Sequence, residues 1–232
     1  MHNLFITELM DWKTHHHSRG VRWINLFLER IGFRARMVPV FGTGIMTNLE
    51  QRMNLFHLVR QVLVYGVPGD IVDLGCSLGQ TGTLFEIVIA EYAPERRLHT
   101  YDIFSGGEDQ IRAIRKNFES VGARTPVFHK GWIQDTLPKE LPEKICFAHI
   151  DVGSEVAGDV KSLVSHCLTS VYPRLSKGAV CVLQDYCDRL VTNSWDPWPG
   201  VKAAADEFLA DKPESVSVLY AGFHSHGFFR KR

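Results

Sequence analysis

Two periods of apolar residues run along this chain, and the switches between them outline the fold. "WINLFLERIGF" and "LEQRMNLFHLVRQVLVYG" repeat apolar positions every three or four residues, which predicts two helices, the second ending at a Gly66 cap. Between them "RARMVPVFGTGIMTN", with Pro39, Gly42 and Gly44, reads as a loop. From Gly69 onward short apolar runs alternate with helical patterns. "DIVDLG", "RLHTYDIF", "PVFHKGW", "KICFAHID" and "GAVCVLQDY" read as strands, and "GTLFEIVIAEYA", "EDQIRAIRKNFESVG", "DVKSLVSHCLTSVYPRL" and "GVKAAADEFLAD" as helices. In the third of these helices Val160, Leu163, Val164, Cys167, Leu168 and Val171 form one stripe. The end, "SVSVLYAGFHSHGFFRK", predicts two strands around a turn at Gly222–Gly227, with His224 and His226 exposed on it. The expectation is an α/β chain with a seven-stranded, mostly parallel, Rossmann-like sheet, helices on both faces and an antiparallel C-terminal hairpin. A helical N-terminal lobe, lid or interface, is expected over 1–65 and the sheet domain over 66–232.

Composition narrows the function classes. The 232 residues are 45% hydrophobic with formal net charge zero, so no overall field draws the chain to nucleic acid or anionic membrane. Runs such as "LFEIVIA" are too short to span a bilayer, and the N-terminus lacks the pattern of a signal peptide. The five cysteines (Cys76, Cys146, Cys167, Cys181 and Cys187) are odd in number and form no C-x-x-C pair, which argues against a disulfide framework or a cysteine zinc site. The expected setting is cytoplasmic and reducing.

The candidate chemistry starts at "GDIVDLGCSLGQTG". In an open parallel sheet, ligands bind beyond the C-terminal ends of the strands, so the loop after the first strand should hold a cofactor. Its glycines, Gly75, Gly79 and Gly82, are spaced G-x-x-x-G-x-x-G, with Ser77 where a dinucleotide fingerprint needs a second glycine for close approach of pyrophosphate. Asp73-Leu-Gly75-Cys-Ser-Leu-Gly79 instead resembles the S-adenosylmethionine (SAM) loop of class I methyltransferases. Asp73 could help hold the ammonium of SAM, and Asp102, ending the second strand, is placed to accept from the ribose hydroxyls. Ser77, Gln80, Thr81, Ile103 and Phe104 complete the expected cofactor lining.

Further segments are similar to the macrocin O-methyltransferase family, whose members methylate sugar hydroxyls in macrolide antibiotic biosynthesis. They are "IMTNLEQRMNLFHLVRQVLVYGVPGDIVDLG", "YDIFSGG", "KGWIQDTLPKELPEKICFAHID", "VYPRLSKGAVCVLQDY" and "PGVKAAADEF", in the family's order. The resemblance implies a SAM-dependent, Mg²⁺-dependent O-methyltransferase that forms dimers or larger homo-oligomers. It implies that Asp151 is metal ligand and general base, that Gln184 and Asp185 stand where the family has an Asp-Asp metal pair, that Met46 and Thr47 close over SAM, and that Trp132 and Asp135 line the adenine side. Elementary geometry agrees in part. Neighbouring fourth and fifth strands, about 5 Å apart, set Asp151 and Asp185 side by side at the C-terminal edge, and two carboxylates with waters suit Mg²⁺. Two positions depart from the family pattern. Gly153 replaces the second acid of D-x-D, and Gln184 brings no charge, which leaves the metal site weakened, altered or absent, with Glu155 or Asp159 as substitutes.

Other residues carry open readings. His149 shares the strand face of Asp151 and either orients substrate and base or is a buried structural histidine. His15, His16 and His17 read as a solvated run, and "WDPWPG" as an acceptor-side loop. The leading expectation is methyl transfer to a small hydroxylated natural-product or sugar acceptor. The alternatives are a metal-independent methyltransferase using Asp151 or His149 as base, and a non-catalytic protein that keeps the SAM fold.

Overall fold

The computed structural model describes residues 19–32, 47–153, 159–191, 195–222 and 224–232. Helix α1 (Arg19–Arg30) belongs to a first compact unit, Met1–Met46. The second unit, Thr47–Arg232, holds everything else. Helix α2 (Leu49–Val64), which the sequence pattern assigns to a lobe ending at residue 65, lies in this second unit. Leu55, Leu58, Val59, Val62 and Leu63 are buried at helical spacing, and that stripe packs the helix with the sheet. Its start is fixed by a capping box. Asn48 accepts from the Gln51 amide while the Gln51 side chain accepts from the Asn48 amide.

The chain then runs β1 (Asp70–Leu74), α3 (Gln80–Tyr92), β2 (Leu98–Asp102), α4 (Gly107–Ser120), β3 (Val127–Lys130), a one-turn α5 (Ile133–Thr136), β4 (Ile145–Ile150), α6 (Val160–Val171), β5 (Leu175–Gln184), α7 (Pro199–Leu209), β6 (Ser217–Ala221) and β7 (His224–Arg230). The seven strands lie in the order β3-β2-β1-β4-β5-β7-β6. The first five are parallel; β7 is antiparallel to β5 and to β6. This is the Rossmann-like α/β fold with an antiparallel C-terminal hairpin that the sequence predicts. β4 is buried at every position, as expected of a central parallel strand covered on both faces. The chain direction across the sheet reverses between β1 and β4, and in such sheets that crevice takes the ligand.

The hairpin corrects one expectation. β6 ends at Ala221 and β7 begins at His224, so the turn is shorter than Gly222–Gly227 and His226 lies inside a strand, fully buried. Gly227 pairs within the sheet, and it is glycine because no side chain fits there. A Cβ would stand 2.6 Å from Tyr186 Cγ and 2.7 Å from Val216 Cγ1. The glycine marks close packing rather than a turn. The hairpin is tied to α2, since Asn48 Nδ2 donates to the Ala221 carbonyl (2.7 Å) and Asn54 Nδ2 to the Tyr220 carbonyl (2.8 Å). All five cysteines are buried, and none forms a disulfide among the described residues. Among the described residues, no helix is long and apolar enough to cross a membrane.

Candidate active site

The loop after β1 and the end of β4 meet in backbone contact. Gly75 has φ +94°, and a Cβ on it would lie 1.8 Å from the Asp151 carbonyl oxygen. The Asp151 amide donates to the Leu74 carbonyl at 2.8 Å. Only a residue without a side chain lets the loop turn here and touch β4, so Gly75 brings the expected cofactor loop and Asp151 to one place.

Asp102 organises the other wall. Its Oδ2 accepts the Ser77 amide (2.8 Å) and its Oδ1 the Phe104 amide (2.9 Å). Ser77 and Phe104 sit at φ 48° and 46°, in the left-handed region that non-glycine residues seldom occupy. Gln110 Nε2 adds a bond to the Ser77 carbonyl at 3.0 Å. Each carboxylate oxygen of Asp102 takes one amide and keeps lone-pair capacity for hydroxyl donors. Gln80 opens α3 as its first residue, followed by Thr81, and both are half-buried. Ile103 is half-buried and Phe104 fully buried, while Trp132 and Asp135 are exposed at the start of α5. Thr47 is buried; its Oγ1 and carbonyl accept from Arg52 at 3.3 and 3.1 Å. Met46 lies outside the described residues, as do Glu155 and the His15–His17 run.

Behind the loop lies a buried polar row. Asp73 and His149 are neighbours across β1 and β4, both fully buried, with Asp73 Oδ1 and His149 Nδ1 2.8 Å apart. Gln184 Oε1 lies 3.5 Å from His149 Nε2. With acceptor oxygens at both ring nitrogens, imidazolium is the matching form. Burial opposes the charge on His149, but the hydrogen bond and charge of Asp73, together with the charge of Asp151, outweigh it and raise the His149 pKa. Asp73 thus faces His149, and its Oδ2 has no hydrogen-bond partner.

Asp151, just past β4, is pushed up to about 7, first by burial, with His149 opposing and Asp185, Asp73 and Asp102 adding to the rise. A carboxyl group so placed can hold or release a proton near neutrality. Asp185 follows β5 at φ 59° and is raised chiefly by burial, with His224 and His149 opposing. His224 Nδ1 stands 3.7 Å from Asp185 Oδ1, and the Trp195 ring packs edge-on against His224 at 5.4 Å. Trp198 covers Gly153, where a Cβ would come 2.6 Å from its Cδ1. His226, opposite Gln184 across β5 and β7, is fully buried with both ring nitrogens unpartnered; burial, then the charges of His149 and His224, push it down to about 3. The sequence reading missed His226, His224 beside Asp185, and Trp198 over Gly153. The alternation in "HSHGFF" was the available signal for the first, because it is strand-like and continues past Gly227.

The donor set does not fit the implied Mg²⁺. Gln184 is turned to His149, Trp198 stands where the second acid of D-x-D would project, and Asp185 faces His224. Asp159 is spent as the cap of α6, accepting from the Ser162 amide. Among the described residues no three His, Cys, Asp or Glu side chains gather as a metal cage.

The macrocin-O-methyltransferase (TylF) family model matches residues 107–209. The match covers less than half of the chain, and over those residues the chain is similar to that family. The matched segment carries β4, Asp151, β5, Gln184 and Asp185. The chain is 28% identical over 167 residues to the 8-demethyl-8-(2,3-dimethoxy-alpha-L-rhamnosyl)-tetracenomycin-C 4'-O-methyltransferase of Streptomyces olivaceus, covering 61% of this chain and 62% of the relative. It is 25% identical over 170 residues to the mycinamicin III 3''-O-methyltransferase of Micromonospora griseorubida, covering 61% and 65%. The match thus spans somewhat less than two thirds of the length of these curated relatives. Among solved structures, the O-methyltransferase NovP superposes with TM-score 0.61 at 19% identity, covering 79% of this chain and 80% of that one. A Bacillus cereus O-methyltransferase in complex with SAH superposes with TM-score 0.57 at 16% identity, covering 96% and 98%. These likenesses establish the fold.

Proposed function

We propose that this chain is a SAM-dependent O-methyltransferase acting on a hydroxyl of a sugar or sugar-bearing natural product. The observation that carries the reading is the contact at Gly75, which sets the cofactor loop directly against Asp151, an acid poised near neutrality. The curated relatives, one named as the 4'-O-methyltransferase of a rhamnosyl-tetracenomycin and one as a mycinamicin III 3''-O-methyltransferase, support the acceptor class. In this reading Asp102 accepts from the ribose hydroxyls, and Ser77, Gly79, Gln80 and Thr81 form the loop beneath the methionine part. Ile103 and Phe104 border the adenosine, while Trp132 and Asp135 lie on the adenine side. Thr47, held by Arg52, borders the cofactor cleft.

Bound SAM supplies a methyl group on a sulfonium, which leaves as a neutral thioether. The protein must place a hydroxyl in line and take its proton. Asp151 is the residue for that proton, since it stands at the crevice between β1 and β4 and is ionised once the pH rises past its raised pKa. His149 touches neither reactant in this account. It is a positioning residue, a buried charge between Asp73 and Asp151 that limits the rise of the Asp151 pKa. Much of the rate comes from alignment of the two reactants.

Calorimetry with SAM and with S-adenosylhomocysteine (SAH) tests the reading. Saturable binding of both by the folded chain is expected; binding of neither contradicts it.

A further inference from the structure

We infer that this chain runs its chemistry without a divalent cation, with His224 standing beside Asp185 in the place that the resemblance gives to the ion. The inference rests on the O-methyltransferase reading for its chemistry, and on three separate contacts for its geometry.

The first contact is at Gly153. An acid there would carry its Cβ into the indole of Trp198, within 2.6 Å of Cδ1, 2.8 Å of Nε1 and 2.9 Å of Cγ. The missing carboxylate and the tryptophan over it are therefore one feature, since the ring covers ground that a ligand side chain and its cation would need. Trp198 is fixed in turn because it precedes α7, whose Gly200 packs against the backbone of Lys161 at the start of α6.

The second contact is at Gln184. Its side chain is buried, with Oε1 toward His149 Nε2. An amide oxygen can ligate Mg²⁺, but this one is buried and lies 3.5 Å from His149 Nε2. Turning it to a cation would take from His149 Nε2 the side chain that now faces it.

The third contact is at Asp185. The facing group is a histidine, His224 Nδ1 at 3.7 Å, braced from behind by the Trp195 ring. The neighbouring acid Asp196 has its Oδ2 3.8 Å from Arg189 Nε and its Oδ1 buried without a hydrogen-bond partner. A carboxylate already facing an imidazole has less to offer Mg²⁺, which takes its protein ligands from one or two carboxylates and tolerates little distortion. The hydroxyl proton then goes straight to Asp151, with no Lewis acid to loosen it. An acceptor hydroxyl of lower pKa, or one hydrogen-bonded by the protein, fits this cleft better than a bare aliphatic alcohol.

The test is calorimetric titration of the full chain with MgCl2 and with MnCl2, with and without SAH, alongside methyl transfer in EDTA. Expected are no saturable cation binding below about 1 mM and transfer unchanged by EDTA. His224→Ala frees Asp185 and is expected to tighten Mn²⁺ binding at least about tenfold, a difference of about 1.4 kcal/mol; His224→Arg is expected to keep the cation out. Wild-type Mg²⁺ binding in the micromolar range, transfer abolished by EDTA and restored by Mg²⁺, or Mn²⁺ affinity unmoved by His224→Ala each overturns the inference. Failure to bind SAH counts against the methyltransferase reading alone, because the titration without SAH reads cation exclusion by itself.

Discussion

At the scale of single residues, the proposed function divides the work between Asp151 and Asp102. Asp151→Asn keeps the shape and removes the proposed base, so kcat should fall by about 10²- to 10⁴-fold while SAH affinity stays within a factor of about two. The pH profile follows from the raised pKa. The ionised, proton-accepting form dominates above about 7, so the wild-type rate should fall as pH drops through that value, and the residual rate of Asp151→Asn should lack that limb. Stopped assays across pH 5–9 read both. Asp102→Ala removes the acceptor of two loop amides and of the proposed ribose contact. SAH affinity in calorimetry should weaken by at least about tenfold, or about 1.4 kcal/mol; unchanged affinity would remove Asp102 from the cofactor site.

Elements explain which residues meet. The β1 loop reaches Asp151 because position 75 has no Cβ and a positive φ, so Gly75→Ala introduces a clash with backbone that cannot move aside. The expected outcome is loss of SAH binding with a melting temperature lowered by several degrees, read by differential scanning fluorimetry with and without SAH; a variant that binds normally contradicts the contact. The parallel strands and the loop were legible in the sequence because apolar period and glycine spacing are local signals. The His149–Asp73 pair was not, since it depends on the β1–β4 register, which no local pattern specifies. The turn was drawn too wide because Gly227 looks like punctuation, whereas its cause is the Tyr186 ring packed from another part of the chain. Trp198 over Gly153 was equally hidden. Sequence reading noted the missing acid and the tryptophans separately, and only the packing of the loop before α7 joins them.

At the scale of the whole molecule, buried titratable groups set how stability responds to pH. His226 is pushed down to about 3 in the folded chain, against an ordinary value of 6.5. Between those values the unfolded chain takes the proton and the folded chain does not, so this group lowers stability as pH falls from about 6.5 towards 3, by up to about 1.4 kcal/mol per pH unit. Asp151 and Asp185, whose pKa values are raised, act in the opposite sense. The comparison is therefore wild type against His226→Leu in urea melts at pH 5 and 7. The variant should lose less stability on acidification, and equal losses contradict the account. The division of labour between an N-terminal lobe and the sheet, and assembly into a homodimer, remain proposals of the sequence reading, which light scattering on the full chain checks. The central claim is methyl transfer at Asp151. The most direct measurement is mass spectrometry of a glycosylated natural product incubated with the chain and SAM, beside the Asp151→Asn variant. The account predicts SAH together with a product heavier by one methyl group on a sugar oxygen, reduced at least about a hundredfold in the variant. Equal product from both proteins, or a methyl group found on nitrogen or carbon, would contradict it.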